Sequence, residues 1–166
     1  MTNANSYYSL NFGKYECKKG EGNMKYVVLV SHGQFADGLA NALGMLAGKR
    51  NDLLSCGLED GKSADEFAEK FAEVIAPIQE DDEILLLGDL IGGSPLTTAC
   101  NVINEKGLTN QTRIVGGMNL PLGLTALLMK DVLDLESLKD AVQAEAKDTL
   151  KEFVIVADDD DDDDDV

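Results

Sequence analysis

The chain has a single histidine, His32, and it stands in Ser31-His32-Gly33, directly after the apolar run Tyr26-Val27-Val28-Leu29-Val30. An imidazole at the end of a buried strand, flanked by glycine, is placed as a nucleophile or general base within reach of solvent. A second apolar run, Ile84-Leu85-Leu86-Leu87-Gly88, ends in Asp89, and Leu90-Ile91-Gly92-Gly93-Ser94-Pro95 follows. If the two runs are neighbouring strands, the Asp89 carboxylate reaches one imidazole nitrogen. It then fixes the tautomer and leaves the other nitrogen free as the nucleophile. A third polar turn, Gly117-Met118-Asn119-Leu120-Pro121, follows another short apolar stretch. Glycine-bearing turns that open helices present backbone N–H groups and a positive dipole end, which suits a phosphate or oxyanion. Gly33, Gly92, Gly93 and Ser94 are therefore the candidates for holding a phosphoryl group, and Gly117, Asn119 and Pro121 for shaping the rim. The plain alternatives are a surface histidine, a loop aspartate and a helix-capping serine. The shared position at strand ends favours a site.

Strands and helices alternate behind these turns. Residues 25–30 form an apolar, β-branched run of the kind buried on both faces of a sheet. Residues 35–47 carry a helical apolar stripe at 35, 39, 42, 43 and 46. A second strand is expected at 53–58. Ser63-Ala64-Asp65-Glu66 is a capping box that opens a helix over 64–76, with Pro77 as its stop. A strand at 84–88 follows, then a helix over 95–106 with Ser94 as N-cap and Pro95 at N1. A strand at 113–116, helices over 121–129 and 135–150, and a last short strand at 153–156 complete the reading. Such alternation implies a doubly wound α/β domain: a mainly parallel four-stranded sheet, right-handed crossovers and helices on both faces. Ligands in such sheets bind beyond the carboxyl ends of the strands, where the strand order reverses.

Composition narrows the function classes. Lys+Arg number 14 against 31 Asp+Glu, a formal net charge of −17. Part of this lies in eight consecutive aspartates of the tail at 158–166, but the stretch 24–157 is acidic without them. An acidic surface repels phosphate backbones, so nucleic-acid binding is disfavoured, whereas a basic patch on a protein partner is attracted. No stretch has the apolar length of a membrane span, and residues 1–23 have no apolar core of a secretory signal. Cys17, Cys56 and Cys100 match neither a disulfide framework nor a metal site, so a reducing cytoplasm and no bound metal or other cofactor are expected. The domain is expected at 24–157. Residues 1–23 read as a disordered leader or tag, since 18–23 back-translate to a purine-rich run just before Met24. The poly-Asp tail reads as solvated and self-repelling.

Two motifs mislead. Residues 57–63, Gly-Leu-Glu-Asp-Gly-Lys-Ser, resemble a nucleotide-binding loop but have three residues between the glycines where four are needed, two of them acidic. Ser94 with His32 and Asp89 suggests a hydrolase triad, but Gly92-Gly93-Ser94-Pro95-Leu96 lacks the second glycine of the nucleophile elbow.

Taken in order, Ser31-His32-Gly33, Asp89 with Gly92–Pro95, and Gly117-x-Asn119-x-Pro121 resemble the IIA domain of the mannose family of the bacterial sugar phosphotransferase system. The resemblance covers about residues 25–156. It implies that His32 takes a phosphoryl group on Nε2 from the phosphohistidine carrier HPr and passes it to the IIB component. It implies also that Asp89 orients the ring and that Ser94 and nearby backbone N–H groups stabilise the phosphoryl group. The sugar would enter through the IIC and IID membrane components, with which this chain would associate peripherally from the cytoplasm. IIB is expected as a separate chain, because no IIB domain follows here. A homodimer with an exchanged final strand is implied by the resemblance alone. The alternatives are the phosphotransfer subunit of the dihydroxyacetone kinase type and a regulatory module that reports sugar supply through His32 phosphorylation. The sugar itself is not legible.

Overall fold

The structure, a computed structural model, describes residues 23–155. The proposed leader, apart from Asn23, and the aspartate tail lie outside the described residues. The elements run β1 (Lys25–His32), α1 (Phe35–Ala47), β2 (Leu53–Leu58), α2 (Ala64–Val74), β3 (Glu83–Gly88), α3 (Ser94–Glu105), β4 (Thr112–Gly116), α4 (Leu120–Met129) and α5 (Leu135–Asp148).

The four strands form one parallel sheet in the order β2-β1-β3-β4. The uninterrupted apolar runs fall on the two inner strands, β1 and β3, where Val27–Val30 and Ile84–Leu87 have no exposed surface. A strand covered by helices on both faces has no polar side to present. Tyr26, Val28, Val30, Ile84 and Leu86 pack in one layer with residues of α2 and α3. Val27, Leu29, Leu85 and Leu87 pack in the other with residues of α1, α4 and α5. The connection β1→β2 moves across the sheet one way, while β2→β3 and β3→β4 move the other. A single crossover hand therefore puts α1 on one face and α2 and α3 on the opposite one. The order reverses between β1 and β3, so the crevice at their carboxyl ends is the place for a ligand.

Local signals explain most boundaries. The Ser63–Glu66 capping box forms in both directions. Several boundaries differ from the sequence expectation, most by one residue. β1 does not stop at Val30: it pairs with β2 through Ser31↔Gly57 and His32↔Leu58, so His32 belongs to a strand rather than a loop. The N-cap of α3 is Gly93, extended at φ −71 and ψ 153, and makes no side-chain cap bond. Ser94 therefore occupies N1 and Pro95 N2, one position deeper than expected. Helices α2 and α5 end at Val74 and Asp148, two residues early. The strand expected at 153–156 is absent among the described residues. Residues 151–155 have no regular structure, and Phe153, Val154 and Ile155 are 88%, 67% and 83% exposed. A strand needs an edge to pair with, and in the single chain this segment meets none. Val156 lies outside the described residues. Among those described, no helix is long and apolar enough to cross a membrane.

Candidate active site

His32 ends β1, and Asp89 follows β3, its neighbour across the strand-order reversal. Asp89 Oδ2 accepts the backbone N–H of His32 at 2.9 Å and stands 3.0 Å from His32 Nδ1. Its other oxygen, Oδ1, accepts the N–H of Leu90 at 2.8 Å. Partial burial alone would raise the Asp89 carboxyl. The two groups of His32, and then the Leu90 N–H, outweigh it and hold the carboxyl below the usual carboxylate range. An ionised carboxylate only accepts hydrogen bonds, so Nδ1 of a neutral His32 must carry the proton. Nε2 is left with an unshared pair, on a side chain 48% exposed.

Strand alternation decides what the ring faces. His32 lies on the same side of β1 as Val28 and Val30, the α3 side. There Gly93 lies against the imidazole: a Cβ at this position would stand 2.7 Å from Cε1 and 3.5 Å from Nε2. The N-terminus of α3 therefore abuts the edge of the ring that carries Cε1 and Nε2. Gly33 and Gly92 have φ of +54 and +77, backbone that side chains other than glycine adopt at a cost. They turn the chain sharply on either side of the site.

The structure thus brings together His32, Asp89, Gly33 and Gly93, with Ser94 exposed at the first position of α3. The third turn lies against the end of β3, where the Met118 N–H donates to the Gly88 carbonyl at 2.9 Å. Gly117 and Asn119 line a cavity of about 430 Å³ with Ile91, Gln143 and Leu150, and Pro121 lines a separate groove beside Leu46. Asn119 caps α4 by accepting the Leu122 N–H at 2.9 Å. In the misleading loop at 57–63, the Lys62 ammonium is held by Glu66 at 2.8 Å and the Ser63 hydroxyl is used in the capping box.

Sequence reasoning passed over two supports. Ser31 is buried, and its Oγ accepts the N–H of Ala36 at 2.7 Å. Gly57 on β2 lies under the turn after His32: a Cβ there would stand 1.9 Å from the Gly33 carbonyl oxygen. A glycine inside a strand pattern was the available signal of a close backbone approach. The period-two alternation of β1 was the signal for Ser31.

Comparisons with known proteins match the chain over most of the described residues. The family pattern described as "EIIA-man: PTS system fructose IIA component" matches residues 26–143. The chain is 28% identical over 125 residues to the PTS system fructose-specific EIIA component of Bacillus subtilis, covering 75% of this chain and 84% of that protein. It is 26% identical over 105 residues to the PTS system mannose-specific EIIAB component of Escherichia coli, which covers 63% of this chain but only 32% of that longer protein. The fold matches the mannose/sorbose-specific IIA subunit of Enterococcus faecalis with a TM-score of 0.67 at 22% identity, covering 81% of this chain and 98% of that one. With the matched stretch running from β1 into α5 and holding both His32 and Asp89, this chain belongs to the mannose-type EIIA family of the sugar phosphotransferase system, whose work is phosphotransfer in sugar uptake.

Proposed function

We propose that His32 is the phosphoryl acceptor and donor of this chain, through Nε2, between the phosphocarrier HPr and a IIB component. The observation that carries the reading is the 3.0 Å contact of His32 Nδ1 with the Asp89 carboxylate, which leaves Nε2 as the exposed basic nitrogen. The lone pair of Nε2 attacks phosphorus as the N–P bond to the carrier's imidazole breaks. A PO₃ group then moves from one imidazole to another. The proton on Nδ1 stays in place, so the phosphorylated ring is cationic and Asp89 offsets its charge. The reverse step on IIB returns His32 to its neutral form. Such transfer is governed by positioning and electrostatics. The first-turn N–H groups of α3 and the Ser94 hydroxyl face the incoming group, with Gly33, Gly92 and Gly93 giving it room. Gly117, Asn119 and Pro121 shape the neighbouring rim.

The domain is residues 24–157. The protein acts in the cytoplasm beside the membrane components and pairs as a homodimer through the exposed segment that contains Phe153, Val154 and Ile155. Its acidic surface suits a basic patch around the carrier's histidine.

The test is intact mass after mixing with HPr, the first enzyme of the system and phosphoenolpyruvate, beside His32→Ala. The expected result is a gain of one HPO₃, stable in base, lost in acid and absent in the variant. A folded wild type that gains nothing overturns the relay.

A further inference from the structure

Ser31 is fully buried, and the phosphoryl path just described makes no use of it. Alternation along β1 turns His32 toward α3 and Ser31 toward α1. Gln34, at the N-cap of α1, makes no side-chain cap bond. The first turn of a helix leaves N–H groups that need acceptors. Here the acceptor comes from three residues before the cap, as Ser31 Oγ receives the Ala36 N–H at 2.7 Å. That bond closes a loop around His32, Gly33 and Gln34. The same loop is held from β2, where the Gly33 N–H donates to the Leu58 carbonyl at 2.7 Å. It is held again at Asp89, which takes the His32 backbone N–H. The three anchors lie on three sides of the turn.

We propose that Ser31 is a positioning residue for the chemistry of His32. Its hydroxyl ties the start of α1 to β1 and keeps the backbone N–H and Nδ1 of His32 together on one oxygen of Asp89. Both groups meet Oδ2, at 2.9 and 3.0 Å, and a single orientation of the His32 peptide satisfies the two at once. Without the Ser31 bond, the 32–34 turn rotates, the paired contact opens, and the ring proton moves between the two nitrogens. Ser31 touches no reacting atom and acts only through His32. The kinetic part of this inference rests on the relay proposed above; the ring geometry does not.

The test uses the fact that the chain has one histidine, so a ¹⁵N spectrum of the ring contains a single pair of nitrogens. Wild type is compared with Ser31→Ala, Ser31→Thr and Ser31→Cys for tautomer and for single-turnover phosphorylation by phospho-HPr. In Ser31→Ala the neutral ring becomes a mixture of tautomers. The maximal rate per folded molecule falls about tenfold, with half-saturation by the carrier unchanged, because small misplacements of a reacting group cost rate rather than docking. Ser31→Thr, which keeps the hydroxyl, restores both readouts. Asp134→Ala removes the cap of α5 at the opposite end of the sheet, where Leu133 bonds Lys25. It lowers stability and leaves tautomer and rate at wild-type values, so general destabilisation is separated from positioning. A folded Ser31→Ala with wild-type tautomer and rate overturns the proposal. Should Ser31→Ala not fold, Ser31→Cys keeps the volume but accepts poorly, and wild-type behaviour there overturns it equally. If the wild type takes no phosphoryl group, the relay fails, and the tautomer comparison still decides the role of Ser31.

Discussion

Replacing Asp89 with asparagine nearly preserves the shape of the side chain and removes its charge and one acceptor. In the native site three donors converge on the carboxylate: the backbone N–H of His32, Nδ1–H, and the N–H of Leu90. An amide offers one oxygen and one NH₂, so one side must meet donor with donor. If the oxygen turns to Leu90, the NH₂ faces His32, Nδ1 becomes the acceptor, and the proton moves to Nε2, which ends its nucleophilicity. If the oxygen turns to His32, the tautomer survives but no charge balances the phosphorylated ring. A hydrogen bond to a charged group contributes roughly 1.5–3 kcal/mol. Two unit charges about 4 Å apart attract by about 4 kcal/mol at an effective dielectric of 20. Side-chain exposures of 48% for His32 and 17% for Asp89 let water screen the pair well below that figure. A combined loss of about 3 kcal/mol in the transfer step corresponds to acceptance about 10²-fold slower. The assay is rapid-quench single turnover with phospho-HPr in excess, with circular dichroism to establish folding. A folded Asp89→Asn that accepts at the wild-type rate would refute the reasoning, because neither tautomer nor ring charge would then depend on the carboxylate.

Gly93→Ala puts a methyl 2.7 Å from His32 Cε1, on backbone any residue adopts. Stability should change by less than about 1 kcal/mol in urea unfolding, while phosphoryl acceptance drops; an unchanged rate would mean the ring has room to spare. Gly57→Ala places its Cβ 1.9 Å from the Gly33 carbonyl oxygen, backbone against backbone, so it should cost about 1–3 kcal/mol and displace the turn after His32. An unchanged urea midpoint would contradict this. The Asp89 carboxyl is held below its ordinary value, so its contribution to stability is fully present above about pH 4 and is lost as pH falls through the lower folded value. Urea titrations across the acid range should therefore show a flatter pH dependence for Asp89→Asn than for wild type. The Cys56 thiol is buried, and burial pushes it up to about 11. A thiol reagent at neutral pH should label Cys56 only as fast as the protein opens, and rapid labelling of Cys56 in the folded chain would argue against its burial in β2.

What could be read in advance followed the range of the interactions. The apolar runs of β1 and β3, the stripe of α1 and the Ser63–Glu66 box are local, and each formed where its residues stood. The start of α3 was misjudged by one residue because Ser-Pro opens a helix equally well with serine at N-cap or at N1. Gly93, adopting the extended cap conformation, took the outer position. Residues 153–155 form no strand in the single chain for a different reason: β propensity is a demand for a partner edge, and the single chain does not supply one there.

The central contact of the site is the least local. His32 and Asp89 are 57 residues apart, and their meeting depends on β3 lying beside β1, with β2 on the other side. Residue types supplied the two halves and left the adjacency conditional. Strand order is decided by crossover hand and by which runs can tolerate burial on both faces. Those rules make β1 and β3 the inner pair and put the reversal between them. Once that adjacency holds, the pleat of β1 divides the work. An even-numbered position points His32 at the glycine-opened end of α3, and the odd-numbered position before it points Ser31 at α1. A one-residue slip in β1 would exchange these roles, burying an imidazole beside Ala36 and presenting a hydroxyl to Gly93. The site therefore depends on the same buried Val27–Val30 register that holds the sheet together.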